Sequence, residues 1–302
     1  MKKSKFSESQ IVAILKEGEA GVPVADLVRK HGISAAAFHA ESLLRYELGN
    51  IEIVKDHPDF LRSPENIFAP DPRSAGFEVL GESGFRPKTL QDQYEAVAEI
   101  KLHGGVPREI VVEFETAKNL NLFSWFVYRF QAAARRHVYA CLELALRTRF
   151  KGELLERKEK RRLARHEEQA KKNPKTAPQP PRRIGPEKMR PGLRELLEYA
   201  IETKALKNEN FSAWQLRTKI RGRLRRDLEA IERMKKLGLV ELEISDAEIE
   251  ISDADRDHDY LREVMHAVPL LRNHYAHGTT SLDNQSLADL RLAAEIINQI
   301  FP

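Results

Sequence analysis

The longest periodic stretch of the chain runs from Leu122 to Arg149, and it decides the fold class. Trp125, Phe126, Phe130, Ala133, Val138, Cys141, Leu142, Ala145 and Leu146 recur there at helical spacing. That pattern predicts a long helix buried over a broad face. A face of that width needs other helices to cover it, and the sequence offers several. Thr89 to Leu102, Pro107 to Asn119, the segment opened by Pro191, Phe211 to Leu237, the segment from Asp257 to Gly278, and Ser286 to Ile300 all show helical periodicity. The fold class is therefore mainly α.

Two departures interrupt the pattern. Val240-Glu241-Leu242-Glu243-Ile244 and Glu248-Ile249-Glu250-Ile251 alternate strictly, with Ser245, Asp246 and Ala247 between them. Period two around a turn predicts a β-hairpin inserted at 239–252. Residues 49–88 carry five prolines and four glycines, which predicts a connector with local structure. Before it, the first forty residues read as three short helices. Ser7 and Gln10 have capping-box spacing, Gly32 ends the second helix, and Ser34 opens the third. The resulting division is a helix-turn-helix-like segment at 1–39, a connector at 40–115, and a helical domain at 116–302 with a charged, proline-rich insert at 150–190.

Net charge is +4 but unevenly spread. Lys151–Arg183 carries +7, Gln215–Lys236 carries +6, and Leu239–Glu263 carries −8. Lone Cys141 excludes an internal disulfide framework. The N-terminal MKKSKFSESQ has no apolar run behind its lysines, and Leu122–Val127 is far short of a spanning helix. A soluble, cytoplasmic protein with no membrane partner is expected. No glycine-rich phosphate loop or Gly-x-Ser-x-Gly is present. Asp253, Asp255, Asp257 and Asp259 lack the glycine and glutamate of a calcium loop and read as helix-start acids. His274 and His277 lack a third metal ligand, so no metal or cofactor is called for.

The sharpest chemical signal is Arg272-Asn273-His274-Tyr275-Ala276-His277-Gly278 at a helix end. Arginine binds a phosphate and the charge that develops in phosphoryl transfer. Histidine removes or returns a proton at a ribose or leaving oxygen. This stretch resembles the Arg-x-x-x-x-His motif of the HEPN superfamily, all-α bundles that dimerise so that two motifs line one cleft. The resemblance covers roughly residues 116–302. It implies a metal-independent endoribonuclease, of toxin or defence type, that uses 2′-hydroxyl attack and leaves a cyclic phosphate. By that resemblance His277 is the acid/base, Arg272 stabilises the phosphorane and Asn273 positions them. RNA, a second copy of the chain and an antitoxin-type protein are the implied partners. Arg221, Arg223, Arg225 and Arg226 are the candidates for holding the RNA backbone.

A second resemblance lies at the N-terminus. FSESQIVAILKEGEAGVPVADLVRKHGIS is similar to the helix-turn-helix of insertion-sequence transposase upstream reading frames, closely from Lys2 to Ser34. The family continues after Phe38 with tyrosine, lysine, tryptophan and arginine in its recognition helix. This chain reads His39-Ala40-Glu41-Ser42, without the basic side chains that would reach the major groove and without bidentate base readout. The segment is expected to be a truncated remnant rather than a working DNA reader. Rival readings of the whole chain are a transposase-related DNA-binding protein of a mobile element and a non-catalytic helical interaction module.

Overall fold

The computed structural model describes residues 14, 17, 24–33, 59–81, 83–172, 191–242, 249–277 and 281–302. The chain divides into two compact units, Met1–Ile67 and Phe68–Pro302. In the first, Ile14 and Glu17 are helical and α1 spans Val24–His31. Ile14 and Leu27 are buried together, with Val24 and Ile33 packed against them. Glu17 ties the two helical stretches: it accepts from Lys30 Nζ at 2.9 Å and lies 3.1 Å from His31 Nε2. Those hydrogen bonds, from Lys30 first and then His31, hold its carboxyl below the ordinary carboxylate range. Gly32 ends α1 at φ +63°, a left-handed conformation that costs other residues strain. The third expected helix, from Ser34, lies outside the described residues.

The second unit is built on α5, Phe130–Lys172, a helix of 43 residues. Its first part buries Ala134, Val138, Cys141, Leu142, Ala145, Leu146, Phe150 and Leu154. At 3.6 residues per turn these positions spread over a broad arc of the helix, which several neighbours cover. Around it pack α4 (Arg108–Phe123), α6 (Leu193–Glu202), α9 (Tyr260–Ala276) and α10 (Ser286–Ile300). Beyond Leu154 the helix carries same-helix ion pairs such as Lys172–Glu168 at 2.7 Å, and cross-links to α6 through Arg157–Glu202 and Lys158–Glu195. The proline-rich residues 173–190 lie outside the described residues.

Three expectations need correction. The helix read from Leu122 is two helices, because 124–129 form a turn between α4 and α5. Asp71 brackets that turn: its N–H donates to the Trp125 carbonyl at 2.9 Å and its carboxylate accepts from the Tyr128 N–H at 3.1 Å. Trp125 and Tyr128 stay buried through the turn, so apolar periodicity does not register the break. The helix read over Thr89–Leu102 is shorter: α3 is Leu90–Ala98, with Thr89 and Asp92 forming a capping box. The strands are in a different place from the expected hairpin. β1 (Glu78–Gly81) pairs antiparallel with β2 (Gly84–Pro87), Gly81 opposite Gly84, inside the stretch read as a connector. Gly84 sits at φ +118°, which only glycine adopts without strain.

At the expected hairpin, 240–242 and 249–251 are not strands, and 243–248 lie outside the described residues. The alternation there still has a physical counterpart. α7 spans Ser212–Leu237, and its Gly222 is buried. A Cβ there would come within 2.8 Å of Ile251 Cδ1 and 3.1 Å of Ile249 Cγ2. Alternate side chains thus share one face, and a helix covers that face instead of a strand. Short α2 (Pro72–Ala75) and α8 (Asp253–Arg256) complete the described helices. Ser252 and Asp255 cap α8 reciprocally, and Asp259 caps α9, as helix-start acids should.

Two buried polar systems hold the second unit. In one, Arg135 on α5 reaches Asp289 on α10, the Tyr275 hydroxyl on α9, and Asp283 at 2.5 Å. In the other, Gln93, Asn121, Ser286, Gln131, Ser124 and Ser74 are joined in a hydrogen-bonded chain across α3, α4, α10, α5 and α2. Removing one partner of a buried ion pair costs about 3–5 kcal/mol. Arg135→Met should lower the stability of the chain by about that amount in urea unfolding followed by circular dichroism. A loss under ~1 kcal/mol would mean the network is dispensable.

Asp71 makes a pH prediction. Burial pushes its carboxyl up. The hydrogen bonds from Arg73 and Tyr128 pull it further down, so the net shift is downward. A depressed carboxylate stabilises above its unfolded pKa, about 3.9, and that stability is lost as pH falls through the folded value. Asp71→Asn should lower the Tm at neutral pH and flatten its decline below pH 4. An unchanged acid limb would show that other carboxylates govern it.

Candidate functional site

α9 runs into its own C-cap at His277, whose N–H donates to the Asn273 carbonyl at 3.2 Å. Pro269 lies inside the helix and is buried. It lacks an N–H to give the preceding turn. The last turn, beyond Pro269, leaves carbonyls without helical partners, and α5 supports it. Arg136 Nε donates to the Tyr275 carbonyl at 3.0 Å, satisfying one of the helix-end carbonyls. The Tyr275 ring lies under the Arg135 guanidinium at 4.3 Å and stacks beside Tyr139. Its hydroxyl donates to Asp283 at 2.7 Å. Burial first, then that bond, pushes the Tyr275 hydroxyl up to about 12.

On this support sit the motif residues. Arg272 is half-buried, and Asn273, His274 and His277 are exposed. Arg272 Nε and Nη2 both reach the Glu143 carboxylate on α5, at 3.0 and 2.9 Å. Its Nη1 donates to Asn273 Oδ1 at 3.2 Å. Glu143 is buried and also pairs with Arg147. Asn273 therefore connects the two chemical groups: its side chain holds Arg272, and its carbonyl holds the His277 backbone. His274 packs edge-on against Tyr275 at 4.9 Å. The arrangement presents a fixed guanidinium and an exposed imidazole at one helix end. Such a pair is chemically suited to an anionic oxygen and a proton transfer.

The four arginines of α7 do not form one surface. Arg221 Nη2 donates to the Ala254 carbonyl at 3.0 Å. Arg225 is engaged by Asp255 at 3.0 Å, Glu229 at 3.2 Å and the Glu250 carbonyl at 2.7 Å. Arg226 meets Asp227 at 3.1 Å. Arg223 is exposed and, with Lys219, lines a cleft of about 500 Å³ against Ile249, Glu250 and Ile251. Cys141 is buried and its thiol is pushed up to about 12 by burial, so it is no nucleophile.

Residue-by-residue reading missed Glu143, Arg135, Asp283 and Asp289. A signal existed: Arg135 falls between Ala134 and Val138 on the buried face of the longest helix. A charge in that position requires a buried partner. Tyr275, inside the motif, is a buried anchor of the helix end. No helix among the described residues is long and apolar enough to cross a membrane.

Residues 1–40 match a helix-turn-helix family described as Transposase. An uncharacterized 10 kDa protein A3 of insertion element ISR1 from Rhizobium is 54% identical over 39 residues, 13% of this chain and 44% of that protein. An uncharacterized 10.0 kDa protein of insertion element IS407 from Burkholderia multivorans is 47% identical over 51 residues, 17% of this chain and 55% of that protein. The chain thus spans about half the length of the curated relatives it matches. No solved structure matches the chain. The HEPN resemblance draws no support from these comparisons, and the transposase-like character of the N-terminal forty residues is what they establish.

Proposed function

We propose that the chain is a DNA-binding protein related to mobile elements, with residues 1–40 as the DNA-contacting segment. The observation that carries this is the transposase match over those residues. The buried pair Ile14 and Leu27, with Gly32 closing α1, supports it as a small folded helical module. Its chemistry favours phosphate over base contact. Lys2, Lys3, Lys5, Lys16, Arg29 and Lys30 are its lysines and arginines, and Glu17 already holds Lys30. His39, Ala40, Glu41 and Ser42, directly after Phe38, offer no bidentate base contact. Binding should be weakly sequence-selective and fall with salt by a log–log slope of about −0.9 per phosphate contact. Fluorescence anisotropy on a 30-base-pair duplex (about three helical turns) should show binding by the full chain and its loss on deleting residues 1–40. Equal affinity after the deletion would sink this reading and assign binding to the basic helices of the second unit.

A second reading concerns the second unit: a HEPN-like, metal-independent endoribonuclease. The end of α9 favours it, because Glu143 and Asn273 hold the Arg272 guanidinium and the same helix end carries an exposed His277. In that mechanism His277 takes the 2′-hydroxyl proton as the oxygen attacks phosphorus. It then returns a proton to the leaving 5′-oxygen, leaving a 2′,3′-cyclic phosphate. Arg272 stabilises the phosphorane. Arg223, exposed beside Lys219 on α7, is the candidate of the four for an RNA backbone, since Arg221, Arg225 and Arg226 are each engaged within the chain. Removing a group of this kind typically costs 10²–10⁴-fold in rate. RNA cleavage in EDTA should therefore fall at least a hundredfold in His277→Ala and Arg272→Ala, with cyclic-phosphate ends on the remaining product. Equal cleavage in all three proteins, or none in the wild type, would leave the second unit a helical binding module.

A further inference from the structure

α7 has a face that nothing among the described residues covers. Leu216, Ile220, Leu224, Leu228 and Ile231 are each 46–59% exposed. At about 100° per residue their spacing keeps all five within a ~120° arc. The opposite side of the helix does the packing. There Thr218 and Gly222 are buried, Gly222 lies against Ile249 and Ile251, and Trp214 Nε1 donates to the His258 carbonyl at 3.0 Å. A contiguous apolar row on a helix whose other side is already docked marks an interaction surface.

We infer that this row is an interface between two copies of the chain, paired antiparallel across Leu224. The row is close to palindromic. About Leu224, Ile220 answers Leu228 and Leu216 answers Ile231, so the surface is self-complementary under a twofold axis. Residues four apart form one ridge, and two such ridges interdigitate at a crossing angle of about 50°. Ile220, Leu224 and Leu228 then sit at the centre, with Leu216 and Ile231 at the rim.

Charge selects the direction. Residues 212–226 hold six Lys/Arg and no acid, whereas 227–237 hold three acids and three Lys/Arg. Parallel pairing would set +6 against +6. Antiparallel pairing sets each basic half against a neutral half and brings Arg223 of one copy beside Asp227 of the other. The row includes neither Arg272 nor His277, and Arg223 is the one residue shared with the nuclease reading, so cross-linking at Leu224 and not RNA cleavage decides this inference.

Cysteine cross-linking of the full chain tests it. Cys141 is buried, so an introduced thiol is the reactive one. Under mild oxidation Leu224→Cys should give a disulfide-linked dimer, because position 224 meets itself. Leu216→Cys should not, since the two copies of that residue lie about 24 Å apart along the pair at 1.5 Å per residue. Sedimentation equilibrium should show a wild-type dimer. Arg223→Asp alone should weaken it at least tenfold, and adding Asp227→Arg should restore it. Cross-linking at both 216 and 224 would mean parallel pairing and overturn the register. A monomeric wild type, or a dimer unaffected by Leu224→Glu with circular dichroism unchanged, would overturn the interface.

Discussion

The second unit depends on a buried guanidinium. Arg135 stands among the buried residues of α5, most of which are apolar. Burial alone would discourage its charge. Asp289 and Asp283 more than offset that and hold the guanidinium above its ordinary range. The consequence is geometric. Asp289 belongs to the first turn of α10, Tyr275 to the last turn of α9, and Asp283 to the connection between them. One side chain of α5 thereby fixes where one helix stops and the next begins. An apolar residue could fill the same volume, but it could not specify that register.

The chain of amides and hydroxyls does a similar job one turn earlier on α5, at Gln131. Gln93, Asn121, Gln131 and Ser286 come from four helices, and each finds its partners within the group. A cleft of about 230 Å³ opens beside them, bordered by Lys88, Glu78, Phe77 and Trp125. Lys88 donates to Gln93 at 2.5 Å, and burial depresses its ammonium. Because these groups already satisfy one another, the cleft is best understood as the margin of a structural network.

Much of the fold was legible because helices announce themselves locally. The boundaries of α7, α9 and α10 fall close to where caps and periodicity set them: Gly238 adopts φ +64°, Asp259 caps α9, and α10 starts at Ser286. The misses are places where a distant residue decides. Asp71 breaks the helix read through Ser124, from more than fifty residues away in sequence. Gly222 receives Ile249 and Ile251, so a strand-like pattern packs on a helix. The motif Arg272, Asn273 and His277 was visible as residue types at a helix end. Its supports Glu143 and Arg136 were not, because they lie on a helix remote in sequence and only tertiary packing brings them there.

That support bears on what Arg272 has left to offer. A guanidinium carries five N–H donors in a fixed fork. Glu143 takes those on Nε and Nη2, and Asn273 takes one on Nη1. Two donors remain, one on each terminal nitrogen, along the edge of the fork that matches two oxygens of a phosphate. Glu143 is shared with Arg147, so two arginines face one carboxylate and the cluster keeps a net positive charge. The carboxylate thus orients Arg272 without neutralising the site. A Lys in its place would keep the charge but lose the planar fork, and with it the simultaneous hold on Glu143 and on a second anion.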